Sequence, residues 1–288
     1  MVPERLNNSL KEWRAYGEAY LDDCGLAEAK TDAWLLLEYV TGISKGAYYL
    51  RMQEPMADEA AAKYETMIRR RAARIPLQYL TGEAWCYGNR FLVNHHVLIP
   101  RQDTEFLIEE ALKRIQSGMH LLDLCTGSGC VLISLLKQKS VTGVGTDISR
   151  QALRVAAKNA RLHRVQAEWI ESDLFERVDE SFDIILSNPP YIPADVIEQL
   201  DPEVRDHEPR IALDGGEDGL SFYRRIIREA PAYLKDGGWL CLETGYNQGG
   251  DVRRLFRENH FTEIELIQDY AGFDRVVLGK MVKEKQDV

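Results

Sequence analysis

The sequence predicts an α/β protein: a doubly wound, mostly parallel sheet carried behind a small helical N-terminal domain. Three observations point there. From about residue 101 onward, short apolar runs of strand length alternate with amphipathic helical runs. A glycine-rich turn, Gly127 and Gly129, follows the first of those runs directly. Ahead of them, the first 75 residues carry helical spacing alone. The chain has 288 residues, which suits one large domain or two at ~100–200 residues each. With 45% hydrophobic and 28% charged residues, it is neither collagen-like, coiled coil nor disordered as a whole.

The N-terminal helices follow from apolar spacing. Leu6, Leu10, Trp13, Tyr16 and Tyr20 mark the first. Trp34, Leu35, Leu37 and Val40 mark a second, entered through Thr31-Asp32 and stopped at Thr41-Gly42. A third starts at Asp58, runs through Tyr64 and Ile68 to Arg71, and ends before Pro76. Gly82, Gly88, Phe91, Val93, Val97 and Ile99 then suggest a hairpin region. The expected division is a helical domain over 1–75, a hairpin linker over 76–100 and the α/β domain over 101–288.

In that last domain Thr104-Glu105 opens an amphipathic helix. Strands are expected at 121–125, 141–146, 167–170, 182–187 and 239–243, with helices at 131–136, 151–161, 222–234 and 252–256 between and after them. Residues 264–267 and 275–278 read as a closing antiparallel pair, and 280–288 as a frayed tail.

Charge and cysteine content exclude some functions. The net charge of −10 argues against a duplex-DNA binder, which carries a strong basic footprint. The one basic cluster, Arg69, Arg70, Arg71 and Arg74, reads as a solvated helix end. The five cysteines show no C-x-x-C pair and suggest neither a disulfide framework nor a zinc site. His95-His96 is read as strand neighbours facing opposite ways, and the five tryptophans as packing. No run approaches the ~18–20 apolar residues of a membrane span, and a cytoplasmic location is expected.

In a doubly wound sheet, ligands bind at the carboxyl ends of the strands. Four segments meet there. Asp123-Leu-Cys-Thr-Gly-Ser-Gly129 follows the first strand. Asp147, 20 residues after Gly127, stands where a carboxylate grips ribose hydroxyls. Asp173 can accept from an adenine amino group, with Leu174 and Phe175 flanking the ring. Leu132 occupies the place of the third glycine of a dinucleotide fingerprint, so the pocket suits adenosine without phosphates, and S-adenosylmethionine is that ligand.

Asn188-Pro-Pro-Tyr191 ends the fourth strand. The Asn188 side-chain oxygen and the Pro189 carbonyl are two rigidly held acceptors. They match both hydrogens of a planar NH₂ group, with Tyr191 stacked on its plane. Such a site reads an amide, or the exocyclic amine of adenine or cytosine.

On these motifs the chain resembles the bacterial release factor glutamine methyltransferases of the HemK/PrmC type. The likeness extends through Pro76-Leu-Gln-Tyr-Leu-Thr-Gly82, Leu98-Ile-Pro-Arg-Gln-Asp-Thr-Glu105, Glu208-Pro-Arg-Ile-Ala-Leu213, Gly215-Gly-Glu-Asp-Gly-Leu220 and Asp274-Arg-Val-Val277. It implies a class I S-adenosylmethionine-dependent methyltransferase fold with a seven-stranded sheet. It implies N5-methylation of the glutamine in the Gly-Gly-Gln loop of peptide-chain release factors; so short a loop offers little area for specificity, and the N-terminal helices are expected to dock the partner. Cys125, Thr126, Gly127, Ser128, Gly129, Asp147, Asp173, Leu174 and Asn188 would hold the cofactor. Asn188, Pro189, Pro190 and Tyr191 would take the glutamine, with Phe91 walling its pocket; Asn188, Pro189 and Tyr191 would serve the reaction. Arg101 and Glu105 would pair across the cofactor site or serve a local turn. Cys125 stands where the family often has glycine, and Gln102 where it often has proline. The competing readings are a glutamine methyltransferase of a ribosomal protein, a nucleic-acid amino-methyltransferase, and a non-catalytic binding module.

Overall fold

The computed structural model describes residues 8–283 and divides into two compact units. One comprises Met1–Gly82 with Pro202–His207, the other Glu83–Asp201 with Glu208–Val288.

The first unit is helical: α1 (Leu10–Asp23), α2 (Ala29–Thr41), α3 (Lys45–Arg51), α4 (Asp58–Ala72) and α5 (Leu77–Thr81). Sequence spacing anticipates α1, α2 and α4; α3 and α5 have 7 and 5 residues, too few turns for a periodicity to show. Leu6 lies outside the described residues. α1 opens with a capping box, Ser9 Oγ accepting from Glu12 N while Glu12 Oε2 accepts from Ser9 N at 2.7 Å. The core gathers Trp13, Leu36, Leu37, Tyr64 and Ile68. Tyr64 reaches through it to donate to the Ala33 carbonyl at 3.0 Å. Gly17 makes room for that hydroxyl, since a Cβ there would fall 2.2 Å from it.

Two expectations change here. Thr31-Asp32 does not open α2, which begins at Ala29; Asp32 is buried and accepts from Arg71 Nε at 2.7 Å. Nor is the arginine cluster a solvated face. Arg71 is buried and also donates to Glu203 at 3.0 Å. Arg74 bonds Glu203 and the Cys24 and Gly25 carbonyls, and Arg69 pairs with Glu65. The arginines that look like a surface cluster in the sequence are largely spent holding Pro202–His207 and the α1–α2 turn.

The second unit begins with a hairpin, β1 (Glu83–Cys86) and β2 (Asn89–Leu92). There follow α6 (Thr104–Arg114), β3 (His120–Leu124), α7 (Cys130–Gln138), β4 (Thr142–Asp147), α8 (Arg150–His163), β5 (Glu168–Glu171), β6 (Phe182–Ser187), α9 (Ser221–Tyr233), β7 (Leu234–Glu243), α10 (Gly249–Glu258), β8 (Thr262–Gln268) and β9 (Asp274–Lys280). The last seven strands form one sheet in the order β5-β4-β3-β6-β7-β9-β8. β3 to β7 are parallel, and β9 runs antiparallel to both neighbours.

Side chains alternate across the sheet. Ile184 and Leu186 face the core under α6 and α7, while Ile185 faces the core under α9 and α10. β7 starts five residues before the expected Trp239, because Gly237 and Gly238 break the apolar pattern across a register shift. The tail is also revised: Lys280 closes β9 and Met281 is buried, its N–H on the Gly238 carbonyl. Residues 284–288 lie outside the described residues.

Trp85 is exposed rather than packed. His95 and His96 sit in a turn, with ring centroids 3.9 Å apart, not on a strand. Among the described residues no helix is long and apolar enough to cross a membrane.

The buried Arg71 network yields a contrast. Removing one partner of a buried ion pair leaves a charge without compensation, so Asp32→Ala should lose about 3–5 kcal/mol in urea denaturation. Arg69→Ala, which breaks a half-exposed pair, should leave the urea midpoint almost unchanged.

Candidate active site

The strand order reverses between β3 and β6. The loops that leave these strands diverge, and a cleft of about 1110 Å³, including its open mouth, lies at their ends.

The loop after β3 turns through three left-handed residues, Cys125, Gly127 and Gly129, with φ of 56°, 56° and 78°. The first explains a sequence oddity: position 125 adopts a glycine conformation while carrying a side chain. Thr126 donates to Asp123 Oδ2 at 2.6 Å. Asp123 is fully buried, and burial pushes its carboxyl up to about 7. Gly127 N donates to Asp147 Oδ2 at 2.9 Å, and Ser149 N to Oδ1 at 2.8 Å. Burial still raises the Asp147 pKa against those two bonds. Each of its oxygens keeps a lone pair for a further donor.

Of the anticipated cofactor residues, Cys125, Thr126, Gly127 and Ser128 line the cleft, as do Asp147, Asp173, Leu174 and Asn188. Gly129 does not. It sits at the start of α7, where Ile133, Trp169 and Ala156 would meet a Cβ at about 3 Å. Leu132 does not face the cleft either. It is fully buried, and its Cδ1 would lie 2.6 Å from a Cβ on Gly143. The small residue that lets helix and strand close together is thus on β4 rather than on the helix.

Phe175 is buried and stacked on Tyr233 at 4.5 Å, so it flanks core rather than ligand. Phe91 is fully buried against the His163 ring in the hairpin core and walls no part of the cleft.

In the loop after β6, Asn188 and Pro190 line the cleft; Pro189 and Tyr191 do not. Asn188 Nδ2 donates to Thr104 Oγ1 at 3.2 Å. Tyr191 packs on the core instead of presenting its ring to the cleft, and its hydroxyl points to Glu243 Oε1 at 3.4 Å. The loop backbone is clamped. Gln248 Nε2 donates to the Tyr191 carbonyl at 2.9 Å, and Cβ atoms on Gly215 or Gly219 would fall within 2.7 Å of Tyr191 backbone atoms. The Gly215-to-Leu220 motif is therefore the seat of the Asn188 loop.

Arg101 and Glu105 do not pair with each other. Arg101 pairs with buried Glu208, and Glu105 accepts from Tyr87 N at 2.7 Å, closing the hairpin turn.

Several lining residues escape sequence reasoning. Ile148 and Ile211 are each more than half exposed, and Phe222 lies with them on the cleft wall. Arg225 lines it too, paired with Asp173 at 3.0 Å. Their contribution depends on loops distant in sequence. Only Ile148, beside Asp147, had a local clue: an apolar residue left at a strand end. Asn159 was also missed. It is buried on α8 and bonds Leu92 N, Leu92 O and Ser128 O, tying the hairpin to the glycine loop.

Known proteins match along nearly the whole chain. A model of the PrmC N-terminal domain fits residues 12–82 and one of the methyltransferase small domain fits 101–200. The release factor glutamine methyltransferase of Geobacter sulfurreducens is 42% identical over 91% of this chain and 93% of its own. The chain belongs to the release factor glutamine methyltransferase family. Another member, from Agrobacterium fabrum, is 38% identical over 89% of this chain and 92% of its own. Among solved structures, a methyltransferase from Pyrococcus furiosus shares the fold with TM-score 0.56 at 16% identity, covering 74% of this chain and 99% of that one. This member of the release factor glutamine methyltransferase family thus has a class I methyltransferase fold with an N-terminal helical region.

Two outcomes follow from the glycine loop. Cys125→Gly should hold thermal stability within about 1 kcal/mol, whereas Cys125→Val, β-branched at a left-handed position, should lose about 2 kcal/mol or more. Asp123 is an acid whose folded pKa lies above its unfolded one, so ionising it opposes folding. The penalty is absent below about pH 4 and complete above about 7. Asp123→Asn should therefore gain stability relative to the parent at pH 8 and not at pH 4, as read by denaturant midpoints.

Proposed function

We propose that this chain transfers a methyl group from S-adenosylmethionine to the N5 side-chain amide of the glutamine in the Gly-Gly-Gln loop of a peptide-chain release factor, in the cytoplasm. The observation that carries the reading is the orientation of Asn188. Its nitrogen is committed to Thr104, so its oxygen is the atom offered to the cleft. An acceptor fixed there suits the NH₂ of an amide.

The lining fits the cofactor. Asp147 retains lone pairs for two ribose hydroxyls. Ile148, Phe222 and Leu174 give apolar faces for a purine. A Cβ at Gly127 would meet only the Cys125 carbonyl, at 4.0 Å, which leaves room for a ligand at the backbone of this lining residue. The basic lining residues are Arg225, already paired with Asp173, and His96, which suits a ligand without phosphates.

An amide nitrogen is a poor nucleophile because its lone pair is delocalised into the carbonyl. When bound, S-adenosylmethionine supplies a methyl activated on a sulfonium, whose sulfur keeps the bonding electrons. Asn188 Oδ1 accepts an amide hydrogen and holds the nitrogen in line with that methyl. Its dipole favours the positive charge that grows on nitrogen as the new bond forms. One amide hydrogen then leaves as a proton to water. Docking of the release factor falls to the helical unit, where Tyr49 and Leu50 of α3 stand exposed.

The direct test is transfer of labelled methyl to an unmethylated release factor, with a Gln→Ala variant of its Gly-Gly-Gln loop alongside. Label should appear on that glutamine and be absent from the variant. Label on a ribosomal protein or a nucleic acid, and none on the release factor, would overturn the substrate. Asn188→Ala should lower turnover by about 10²–10³-fold with a much smaller change in melting temperature. Leu50→Glu should raise KM for the whole release factor and leave KM for a short Gly-Gly-Gln peptide unchanged.

A further inference from the structure

Behind the Asn188 loop the structure places a buried carboxyl. Glu243 ends β7, and its side chain is fully buried. Oε1 receives the long bond from the Tyr191 hydroxyl. Oε2 has no partner of hydrogen-bond geometry among the described residues. The Thr104 hydroxyl faces the same carboxyl and favours its charged form. Thr104 is buried, and it is the residue that receives Asn188 Nδ2.

We propose that Glu243 is a positioning residue for methyl transfer: through Thr104 it sets the orientation of the Asn188 amide and backs the acceptor that meets the substrate nitrogen. The inference rests on the glutamine-methylating reading above.

Thr104 has one hydroxyl proton. An ionised Glu243 can only accept, so that proton points to Glu243. The hydroxyl lone pairs are then left for Asn188, which must turn its NH₂ to Thr104 and its oxygen to the cleft. The free Oε2 is the acceptor left for the hydroxyl proton, and with that bond made a chain runs from substrate N–H through Asn188 and Thr104 to Glu243. As positive charge grows on the substrate nitrogen, each bond in the chain polarises toward the carboxylate. No proton needs to travel along it. If Glu243 is neutral, its O–H can donate to Thr104 instead. The hydroxyl proton is then released toward Asn188, which can flip and offer N–H groups to the substrate, a repulsive match.

The groups that face Glu243 decide its titration. Burial is the main influence and pushes the carboxyl up to about 7. Asp103, beside the start of α6, adds to that, while Thr104, Tyr191 and Arg275 on β9 oppose it. Arg275 divides its charge among Asp103, Asp269 and this site. Tyr223 on α9 donates to the Glu243 main-chain carbonyl at 2.9 Å, and the Cys86 thiol on β1 also feels its charge.

The test uses the full chain with a release factor at saturating S-adenosylmethionine, because Asp123 titrates in the same range. kcat is followed from pH 5.5 to 9 for the parent, Glu243→Gln, Thr104→Val and Thr104→Ser. The parent should lose about tenfold in kcat per pH unit below about pH 7. Glu243→Gln should lower kcat at pH 8 by about 10–100-fold and abolish that limb. Binding of S-adenosylhomocysteine, read by calorimetry, should stay within about twofold. Thr104→Val should match Glu243→Gln, the double variant should be no worse than either, and Thr104→Ser should restore most of the loss. Parental kcat in Glu243→Gln, multiplicative losses in the double variant, or no rescue by serine would overturn the proposal. So would loss of S-adenosylhomocysteine binding in step with kcat, which marks a structural role. A parent that labels no release factor glutamine fails on the function itself, separately from these comparisons.

Discussion

The site depends on one topological constraint, the reversal of strand order between β3 and β6. Strands β3 to β5 step outward one way and β6 to β7 the other, so the two central loops cannot close over each other. Everything chemical sits in that gap. The glycine loop and Asp147 occupy one side, and the Asn188 loop the other. A sheet with monotonic strand order would bury the same residues under a crossing connection.

Within the gap, precision comes from backbone packing more than from side-chain contacts. The Asn188 loop is held by glycines that admit its backbone and by Gln248 on its carbonyl. The glycine loop is held by Asn159, which bonds both the hairpin and Ser128. Buried carboxyls complete the frame. Asp123 and Glu243 each stand at the end of a strand, each with a threonine hydroxyl against it, and each raised by burial. Such groups oppose folding when ionised and are retained at sites that need a fixed acceptor.

Much of this was legible in the sequence, and for identifiable reasons. Strands and helices of the second unit show as periodic apolar runs, and β6 is read with its observed bounds. The glycine loop and Asp147 are local motifs with fixed spacing. What stayed hidden is whatever depends on distant segments meeting. Thr104 reads as a helix start and Glu243 as the last residue of a strand; only the fold brings Thr104 onto Asn188 and Glu243 onto Tyr191 of the same loop. Tyr191, Phe91 and Phe175 carry the right chemistry for a ligand wall but turn inward, because an aromatic ring gains more by burial than by lining an open cleft. The arginine cluster failed likewise: its partner, Glu203, is 132 residues from Arg71.

That last separation has a consequence for synthesis. The helices of the first unit leave the ribosome ahead of the second unit, yet Glu203 follows Gly82 by 121 residues. At ~5–20 residues per second, the nascent helices wait roughly 6–24 seconds for the acid that completes the Arg71 pairings. During that interval Asp32 alone neutralises the buried guanidinium. The order in which the ribosome delivers the chain thus leaves the helical unit incomplete until most of the second unit has also been made.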